Sequence, residues 1–350
     1  MVLRTTQLNH WVNSVLSKPA SDENSLISIS GDASFRHYYR VQSGHSSYVA
    51  VDAPPGRENN PQFVALAKLL ADNNLNVPEV HHVNYEQGFM LLSDMGDDLY
   101  YSALISDVES GPGSAEHADS LYHSAIECLV KFQKVDYSSC TIPVFDAEFI
   151  VRELDLFPEW FVRGQLEIDN YPDFQTVSRL LVDNALEQPQ VLMHRDYHSR
   201  NLMITRKNSP GILDFQDAVI GPVSYDLASL LKDCYLSWPD DQVSSWIQTY
   251  ITHAEAAGLL ASADSKQFIR WFDLIALQRH IKCAGIFARL FIRDGKRVYL
   301  QDIPRVVEYI MATSSKYKEL LPFNNWLKHA VLPGMASMKG LFGSYPRADK

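Results

Sequence analysis

Three side chains stand at a spacing suited to phosphoryl transfer. Asp196 lies in a His-Arg-Asp triplet, Asn201 follows five residues later, and Asp214 opens an Asp-Phe pair after a second apolar stretch. Transfer of a phosphoryl group to a hydroxyl needs a carboxylate that orients the nucleophile and accepts its proton. It also needs ligands for a metal ion that neutralises the phosphates. We therefore predict Asp196 as the catalytic base, and Asn201 and Asp214 as ligands of Mg²⁺.

The surroundings of these residues support the same interpretation. Two strand-like apolar segments flank the charged loop between Val191 and Ile204, and a third begins at Gly211. The pattern H-x-D-x-x-x-x-N, followed by Asp-Phe after the next strand, is that of a kinase catalytic loop and its metal-binding motif. A surface ion pair between Arg195 and Asp196 is the simpler alternative, but it does not explain the second half of the pattern.

On these residues the chain resembles the aminoglycoside phosphotransferases, relatives of the eukaryotic protein kinases. A further marker of that family, Gly-x-x-x-x-Asp-Leu-Ala, is present from Gly221 to Ala228. The resemblance covers about the whole chain, and it implies ATP and Mg²⁺ as cofactors. It also implies that Asp226 supports the catalytic loop, a role to which we assign His194 as well.

Longer segments carry a closer likeness. The stretches 31–41, 51–55, 194–203, 213–235 and 277–296 resemble the anomeric kinases of N-acetylmuramate and N-acetylglucosamine, which serve bacterial cell-wall recycling. This resemblance implies an amino-sugar substrate that is phosphorylated on its C1 hydroxyl. Spacing and composition alone identify no sugar.

The third strand departs from the kinase pattern. Kinases of this kind usually carry a lysine there that contacts the phosphates, but this chain has Asp52 at that place. Arg36 and Arg40 share a face of the preceding strand and follow a glycine loop whose N–H groups can meet phosphate oxygens, so either arginine can replace the lysine. The resemblance further implies that the lobe connection offers backbone groups to adenine. The residues we assign to ATP are Gly31, Ser34, Arg36, Asp94 and Met95.

A basic stripe marks a helix predicted through residues 277–293. At 100° per residue, its four cations fall within an arc of about 80°; they are Arg279, Lys282, Arg289 and Arg293. The stripe is either a solvated or ion-paired face, or it contacts the substrate through Arg279 or Lys282, since N-acetylmuramate carries a carboxylate that N-acetylglucosamine lacks. We also assign Arg200 and Asp217, within the motifs above, to substrate binding.

Hydrophobic periodicity predicts the elements that hold these residues. Residues 26–53 indicate three antiparallel strands, 61–71 a helix, and the two apolar stretches before Asp97 two more strands. Helices are predicted at 121–135, 177–186, 243–257, 268–293 and 304–314, and a mobile loop at 106–118. The fold class is α+β. We expect a bilobal, protein-kinase-like fold with a small antiparallel β N-lobe carrying one helix (1–95, nucleotide-binding) and a larger, mainly helical C-lobe (96–350).

Composition restricts the partners. The 350 residues carry a formal net charge of −11, which argues against a nucleic-acid partner. The first sixteen residues lack the apolar run of a signal peptide, and no stretch is long and apolar enough to span a membrane. We expect a cytoplasmic enzyme with a small-molecule substrate and neither a membrane nor a nucleic-acid partner.

Other functions share part of these motifs. A Ser/Thr protein kinase needs a long activation segment, but only eleven residues separate Asp214 from Asp226. A kinase of aminoglycoside antibiotics or of another small alcohol is the nearer alternative. A catalytically weak nucleotide-binding module is the alternative of another class, because the strand lysine is missing.

Overall fold

The computed structural model describes residues 2–16, 25–29, 35–110, 115–169, 174–338 and 340–342. By its internal contacts the chain forms two compact units. The first combines residues 1–100 with 135–141 and 200–217, and the second combines 101–134, 142–199 and 218–350. Each unit therefore draws on several separate stretches of sequence, whereas the predicted boundary divided the chain once, after residue 95.

An antiparallel sheet of five strands forms the centre of the first unit. The strands are β1 (Ile27–Ile29), β2 (His37–Ser43), β3 (Ser46–Asp52), β4 (Val80–Asn84) and β5 (Phe89–Ser93). Their spatial order is β1-β2-β3-β5-β4, with Tyr38 opposite Val51 and Val51 opposite Met90. The β-branched and aromatic runs of the sequence become these strands, so the predicted sheet is confirmed.

Helix α1 (Val2–Val15) is an element that the sequence analysis did not predict. Its apolar residues Leu8 and Val12 are buried against Val41, Ala50 and Phe89 of the sheet. Because this apolar face is narrow and interrupted by polar residues, it indicates a helix only once its partner sheet is known. The helix closes the apolar core of the first unit.

Helix α2 (Asn60–Asp72) is the predicted helix between β3 and β4. Asn59 caps it, because the side-chain oxygen of Asn59 accepts a hydrogen bond of 3.3 Å from the Gln62 N–H. Pro61 occupies the first turn, where its missing N–H costs nothing. Phe63 and Leu66 are among the residues that the helix buries.

The second unit is mainly helical. Its principal helices are α3 (Tyr100–Ser110), α4 (Ala115–Gln133), α5 (Ala147–Leu154), α6 (Phe174–Leu186), α7 (Tyr225–Leu231), α8 (Asp240–Ala256), α9 (Ser265–Asp294) and α10 (Ile303–Lys316), followed by the short α11 (Leu321–Trp326) and α12 (Leu332–Ser337). All five predicted helices are present. The loop predicted at 106–118 is wrong at its ends, since 106–110 and 115–118 are helical; residues 111–114 lie outside the described residues.

Two short strand pairs frame the motif-bearing segments. In the second unit, β6 (Gln190–Met193) pairs antiparallel with β9 (Val219–Pro222). In the first unit, β7 (Leu202–Met203) pairs antiparallel with β8 (Gly211–Ile212). The predicted strands on either side of the charged loop are thus present, and each has a partner close in sequence. In the described part of the chain, no helix is long and apolar enough to cross a bilayer.

Helix α9 is the longest of the described helices and lies at the centre of the second unit. It packs on α10 and on a π-helical segment, Phe157–Gln165, that follows α5. Gly285 makes this approach possible: a methyl group there would lie 2.4 Å from the carbonyl carbon of Leu156. The helix ends at Gly295, whose positive φ of 69° suits a residue without a side chain.

Candidate active site

The loop after β6 is held by a buried carboxylate. Asp226, at the start of α7, accepts hydrogen bonds from the backbone N–H groups of His194 (2.7 Å) and Arg195 (2.9 Å). Burial raises the pKa of Asp226 to about 6, even though these two donors and the His194 ring oppose the rise. Asp226 thereby fixes the two residues that precede Asp196, and Arg195 adopts a positive φ of 79°. This contact agrees with the loop-supporting role that the resemblance implies.

Asp196 lies partly exposed among positive charges. Its own N–H donates to Nδ1 of the His194 ring over 3.3 Å. Burial would raise the pKa of Asp196, but the charges around it outweigh this effect and hold that pKa well below its usual range; they belong to Lys282, His198, Arg195 and Arg279. The carboxylate therefore stays ionised and able to orient a hydroxyl.

Glu153 joins the cations near Asp196, and the sequence analysis missed it. Its carboxylate accepts from Arg195 (2.9 Å), pairs with Lys282 (3.0 Å) and also accepts from Gln278 (3.1 Å). Burial would raise the pKa of Glu153, but Lys282 and Arg195 together lower it. One buried anion thus places two cations from segments that are far apart in sequence.

Asp233 is a second supporting residue that was missed. Its buried carboxylate accepts from the hydroxyl of Ser199 (2.6 Å) and from the Ser199 N–H (3.2 Å), and on its other oxygen from the Tyr235 N–H (2.9 Å). Tyr197, also buried, donates to the carbonyl of Ala125 over 2.9 Å. The loop is therefore anchored on both sides of Asp196. Only its place shortly after the Asp-Leu-Ala motif could have indicated Asp233.

The predicted metal ligands lie together in the first unit. The backbone N–H of Leu213 donates to the carbonyl of Asn201 over 2.9 Å, which joins the segments that carry Asn201 and Asp214. Asp214 is exposed, has a positive φ of 61°, and accepts from the Gln216 amide over 2.6 Å. A carboxylate and an amide oxygen suit Mg²⁺, which typically takes one or two protein carboxylates and completes its shell with phosphates and water. Among the described residues, no cage of three or more His, Cys, Asp or Glu side chains offers another metal site.

Tyr38 links this segment to one of the arginines assigned to ATP. Burial raises the pKa of Tyr38 to about 12, with the positive charge of Arg36 opposing the rise and the negative charges of Asp214 and Glu58 adding to it. Arg36 is itself buried, pairs with Glu58 over 3.1 Å and stacks on Phe63. Arg36 and Asp214 therefore share one neighbourhood in the first unit.

Arg40, the other arginine considered, organises the segment after β5. It donates to Asp94 (2.6 and 3.1 Å), to Asp97 (3.0 Å) and to the Gly96 carbonyl (3.1 Å). Burial would raise the pKa of Asp94, but hydrogen bonds from Arg40, Ser47 and the Gly96 N–H lower it. The Asp94 carboxylate is thus engaged within the protein, whereas Met95 is partly exposed.

An ion pair with Arg4 accommodates Asp52, the acid that stands at the end of β3 in place of the usual lysine. The Arg4 side chain of α1 donates through its Nε to both Asp52 oxygens, at 3.0 and 3.1 Å, and through a terminal nitrogen to Oδ1 as well. The same terminal nitrogen reaches the carbonyl of Gln87 over 2.8 Å. Asp52 is therefore half of an ion pair that ties α1 to the sheet.

The basic stripe on α9 does not form a single solvated face. Arg279 and Lys282 are 3% and 7% exposed, Arg289 is half-buried, and Arg293 is exposed. Arg279 stacks over the ring of Tyr225, and Lys282 donates to the Tyr225 hydroxyl over 3.2 Å. The stripe therefore enters the interior at its N-terminal end and emerges at its C-terminal end.

The predicted site residues thus fall into two groups. The second unit brings together those around the catalytic loop, which are His194, Asp196, Asp226, Arg279 and Lys282. The first unit contains Arg36, Asp94, Met95, Arg200, Asn201, Asp214 and Asp217. Arg200 is half-buried and Asp217 exposed. Gly31 and Ser34 lie outside the described residues.

Comparison with known proteins places the chain in a family. Residues 25–265 match the phosphotransferase enzyme family (APH). The N-acetylmuramate/N-acetylglucosamine kinase of Pseudomonas putida is 42% identical over 330 residues, which cover 91% of this chain and 94% of that protein.

Two solved structures show the same fold at low identity. The ethanolamine kinase of Plasmodium vivax has a TM-score of 0.64 at 14% identity, covering 89% of this chain and 87% of that one. The ADP-bound aminoglycoside phosphotransferase APH(2'')-Ib has a TM-score of 0.55 at 13% identity, covering 87% and 97%. The antiparallel sheet, the helical second unit and the sequence matches together establish that the chain belongs to the phosphotransferase enzyme family.

Proposed function

We propose that this protein transfers the γ-phosphoryl group of ATP to the anomeric C1 hydroxyl of N-acetylmuramate or N-acetylglucosamine. The observation that carries the proposal is the 42% identity, over nearly all of both chains, with a kinase named for these two sugars. The ionised carboxylate of Asp196, on a loop anchored by Asp226, is the chemistry that such a transfer requires. Transfer from ATP also implies the cytoplasm as the compartment.

Asp196 acts on the acceptor. Its carboxylate accepts a hydrogen bond from the sugar hydroxyl and takes the proton as the oxygen attacks phosphorus. A bond forms between the sugar oxygen and the γ-phosphorus, the bond from that phosphorus to the bridging oxygen breaks, and ADP leaves. The cations around Asp196 keep it ionised before the attack. Asp226 contributes by fixing the backbone of the loop and does not contact the reacting atoms.

Asn201 and Asp214 are the residues that would hold Mg²⁺. When bound there, the ion would supply positive charge to the phosphates of ATP, which phosphoryl transfer requires. Both side chains present oxygen, and the Leu213–Asn201 hydrogen bond keeps their segments together. Arg36, next to Tyr38 in the same unit, is the cation that we propose in place of the strand lysine.

A panel of acceptors tests this function. Phosphate transfer from ATP with Mg²⁺ is measured for N-acetylmuramate, N-acetylglucosamine, kanamycin, choline and ethanolamine. We expect turnover of the two amino sugars and little of the others. The methyl glycoside of N-acetylglucosamine is the matched control, because it lacks only the free anomeric hydroxyl and should not react. Turnover of that glycoside, or a preference for kanamycin or choline, would overturn the proposal.

A further inference from the structure

A cavity of about 260 Å³ opens in the second unit beside the catalytic loop. Its walls come from α5, the residue before the π-helical segment, the loop after β6 and one face of α9. The lining residues are Phe149, Arg152, Glu153, Leu156, Arg195, Lys282, Ile286 and Arg289. Two of them, Arg195 and Lys282, are among the cations that act on Asp196. The cavity therefore adjoins the carboxylate that we propose as the base.

The residues that line this cavity carry more positive than negative charge. Among the lining residues, four cations face one carboxylate, that of Glu153, which Arg195 and Lys282 share. Arg152 pairs with Glu148, one turn earlier on α5, over 2.7 Å, and the negative charge of Asp196 also acts on Arg195 and Lys282. Arg289 has no salt bridge among the described residues, and its buried Nε has no hydrogen-bond partner there. Within the described part of the chain, Arg289 is thus the half-buried cation of the lining that has no ion pair of its own.

Arg289 is the cation that most needs an anion. Burial lowers the pKa of Arg289 and the positive charge of Arg293 lowers it further, whereas the negative charges of Asp294 and Glu159 oppose this change without cancelling it. It lies two helical turns beyond Lys282, so both side chains project from the same face of α9 into the cavity. A guanidinium that is partly removed from water gains most from a ligand that offers two oxygens to its N–H groups.

The rest of the lining indicates which kind of anion fits. Phe149, Leu156 and Ile286 provide apolar surface beside the cations. A bare phosphate or sulfate has no apolar group to pack against these side chains. A carboxylate carried on a short alkyl group would pair with the cations and also pack against the apolar side chains. The 3-O-lactyl group of N-acetylmuramate has this composition, a carboxylate next to a methyl group, and N-acetylglucosamine has a hydroxyl in its place.

We propose that this cavity binds the carboxylate-bearing side group of an acidic amino sugar, and that Arg289 pairs with the carboxylate. The inference rests on the proposed function, since it assumes that the acceptor sugar lies against Asp196. Lys282 and Arg195 set the positive potential of the cavity, and Glu153 holds them in place. Arg289 is then a specificity-determining residue that distinguishes the acidic sugar from the neutral one.

Replacement of Arg289 tests the proposal. For Arg289→Gln we expect kcat/KM with N-acetylmuramate to fall about 10- to 100-fold, as for loss of a charged hydrogen-bonded pair. The value with N-acetylglucosamine should change less than about 3-fold, because that sugar makes no such pair. Arg293→Gln is the matched control on the same helix, because Arg293 is exposed and paired with Asp294. It should leave both sugars nearly unaffected.

A second probe removes the carboxylate from the substrate. The carboxamide of N-acetylmuramate keeps the size of the lactyl group and loses its charge. If the pair forms, the wild-type protein discriminates between the acid and the amide and Arg289→Gln does not, so the two changes are not additive. Equal losses on the acid and the amide, or equal losses on both natural sugars, would overturn the proposal.

Binding measurements separate this proposal from the proposed function. Calorimetric titration with N-acetylmuramate alone needs no phosphoryl transfer. Binding that is lost in Arg289→Gln, with no turnover of either sugar by the wild type, supports the cavity and overturns the kinase assignment. Turnover of both sugars, with binding of N-acetylmuramate unchanged in Arg289→Gln, supports the kinase assignment and overturns the cavity.

Discussion

Asp196 combines partial exposure with a strongly positive surrounding. The cations nearby make its carboxylate a weak base in the resting protein, so its contribution is to orient the hydroxyl and receive the proton late, as the bond to phosphorus forms. Asp214 differs, because it is exposed and carries a strained backbone with positive φ. Two carboxylates of the same motif thus have environments suited to different tasks.

The first prediction separates these tasks. Asp196→Asn should lower kcat about 10²- to 10⁴-fold, the usual contribution of a positioned base, and should leave ATP affinity nearly unchanged. Asp214→Ala should weaken Mg²⁺-dependent nucleotide binding as well. Kinetics with the preferred sugar and calorimetric ATP binding with and without Mg²⁺ distinguish the two. Full activity of either variant would contradict the assignment.

The second prediction concerns His280, a buried residue of α9. Its Nε2–H donates to the carbonyl of Lys232 over 2.8 Å, and its ring stacks on Tyr309 with 4.6 Å between centroids. Burial lowers the pKa of His280 to about 3, from an ordinary value of 6.5. As the pH falls below 6.5, His280 binds a proton in the unfolded chain but stays neutral in the folded protein. The free energy of unfolding should therefore fall by about 1.4 kcal/mol per pH unit in this window.

Urea unfolding of His280→Phe against the wild type measures this effect. At pH 8 the variant shows only its lost hydrogen bond and altered packing, which serves as the internal control. Between pH 8 and pH 5 the difference between the two proteins should shift by about 2 kcal/mol in favour of the variant. A difference that is independent of pH would show that His280 has the same pKa in the folded protein as in the unfolded chain, which contradicts the prediction.

At the scale of helices and strands, the elements that could be predicted from the sequence are those with a clear hydrophobic pattern. The sheet and α2 were predictable, because strand alternation, turn residues and a Pro at the first helical turn coincide there. Helix α1 was not, because its burial depends on a sheet formed later in the chain. The ends of the loop predicted at 106–118 were wrong. The Ser, Gly and Asp residues there are typical of loops, whereas the contacts that stabilise the ends of α3 and α4 are not visible in the sequence.

The third prediction concerns the packing of α9. Gly285→Ala would place a methyl group 2.4 to 2.7 Å from backbone and side-chain atoms of Leu156, so helix and neighbouring segment must separate. We expect a loss of about 1 to 3 kcal/mol in the free energy of unfolding, with a lower Tm. Gly56→Ala is the matched control, because a methyl group at residue 56 would meet no atom within 4 Å. Equal stability of both variants would contradict the packing.

At the scale of the whole molecule, each compact unit is assembled from separate parts of the chain. Segment 200–217 belongs with residues 1–100: Ile212 donates to the Asn76 carbonyl (2.8 Å), Ile204 to the Asp98 carbonyl (2.7 Å), and Phe215 stacks on Phe63. The motif residues were predictable from local spacing. Glu153 was not, since it stands 42 residues from Arg195 and 129 from Lys282, and only the folded chain brings the three together.

The fourth prediction follows from this assembly. Residues 1–100 expressed alone should unfold without a cooperative urea transition, because they lack the partners supplied by 135–141 and 200–217. Attaching residues 200–217 through a flexible Gly/Ser linker should restore part of the transition. Circular dichroism and hydrogen exchange of the two fragments provide the comparison. A sharp transition in the 1–100 fragment alone would show that the sheet and its two helices are sufficient.

The ion cluster around Glu153 also limits how such an enzyme can evolve. A mutation that removes Glu153 leaves two interior cations without their counter-charge, and a mutation of either cation leaves the buried acid underpaired. Each single replacement therefore destabilises the folded protein before any new acceptor is gained. Descendants that adopt a polycationic acceptor should carry paired replacements at these positions, whereas Arg289, at the rim of the cluster, can change alone. Divergence in acceptor choice should therefore begin at the exposed end of α9.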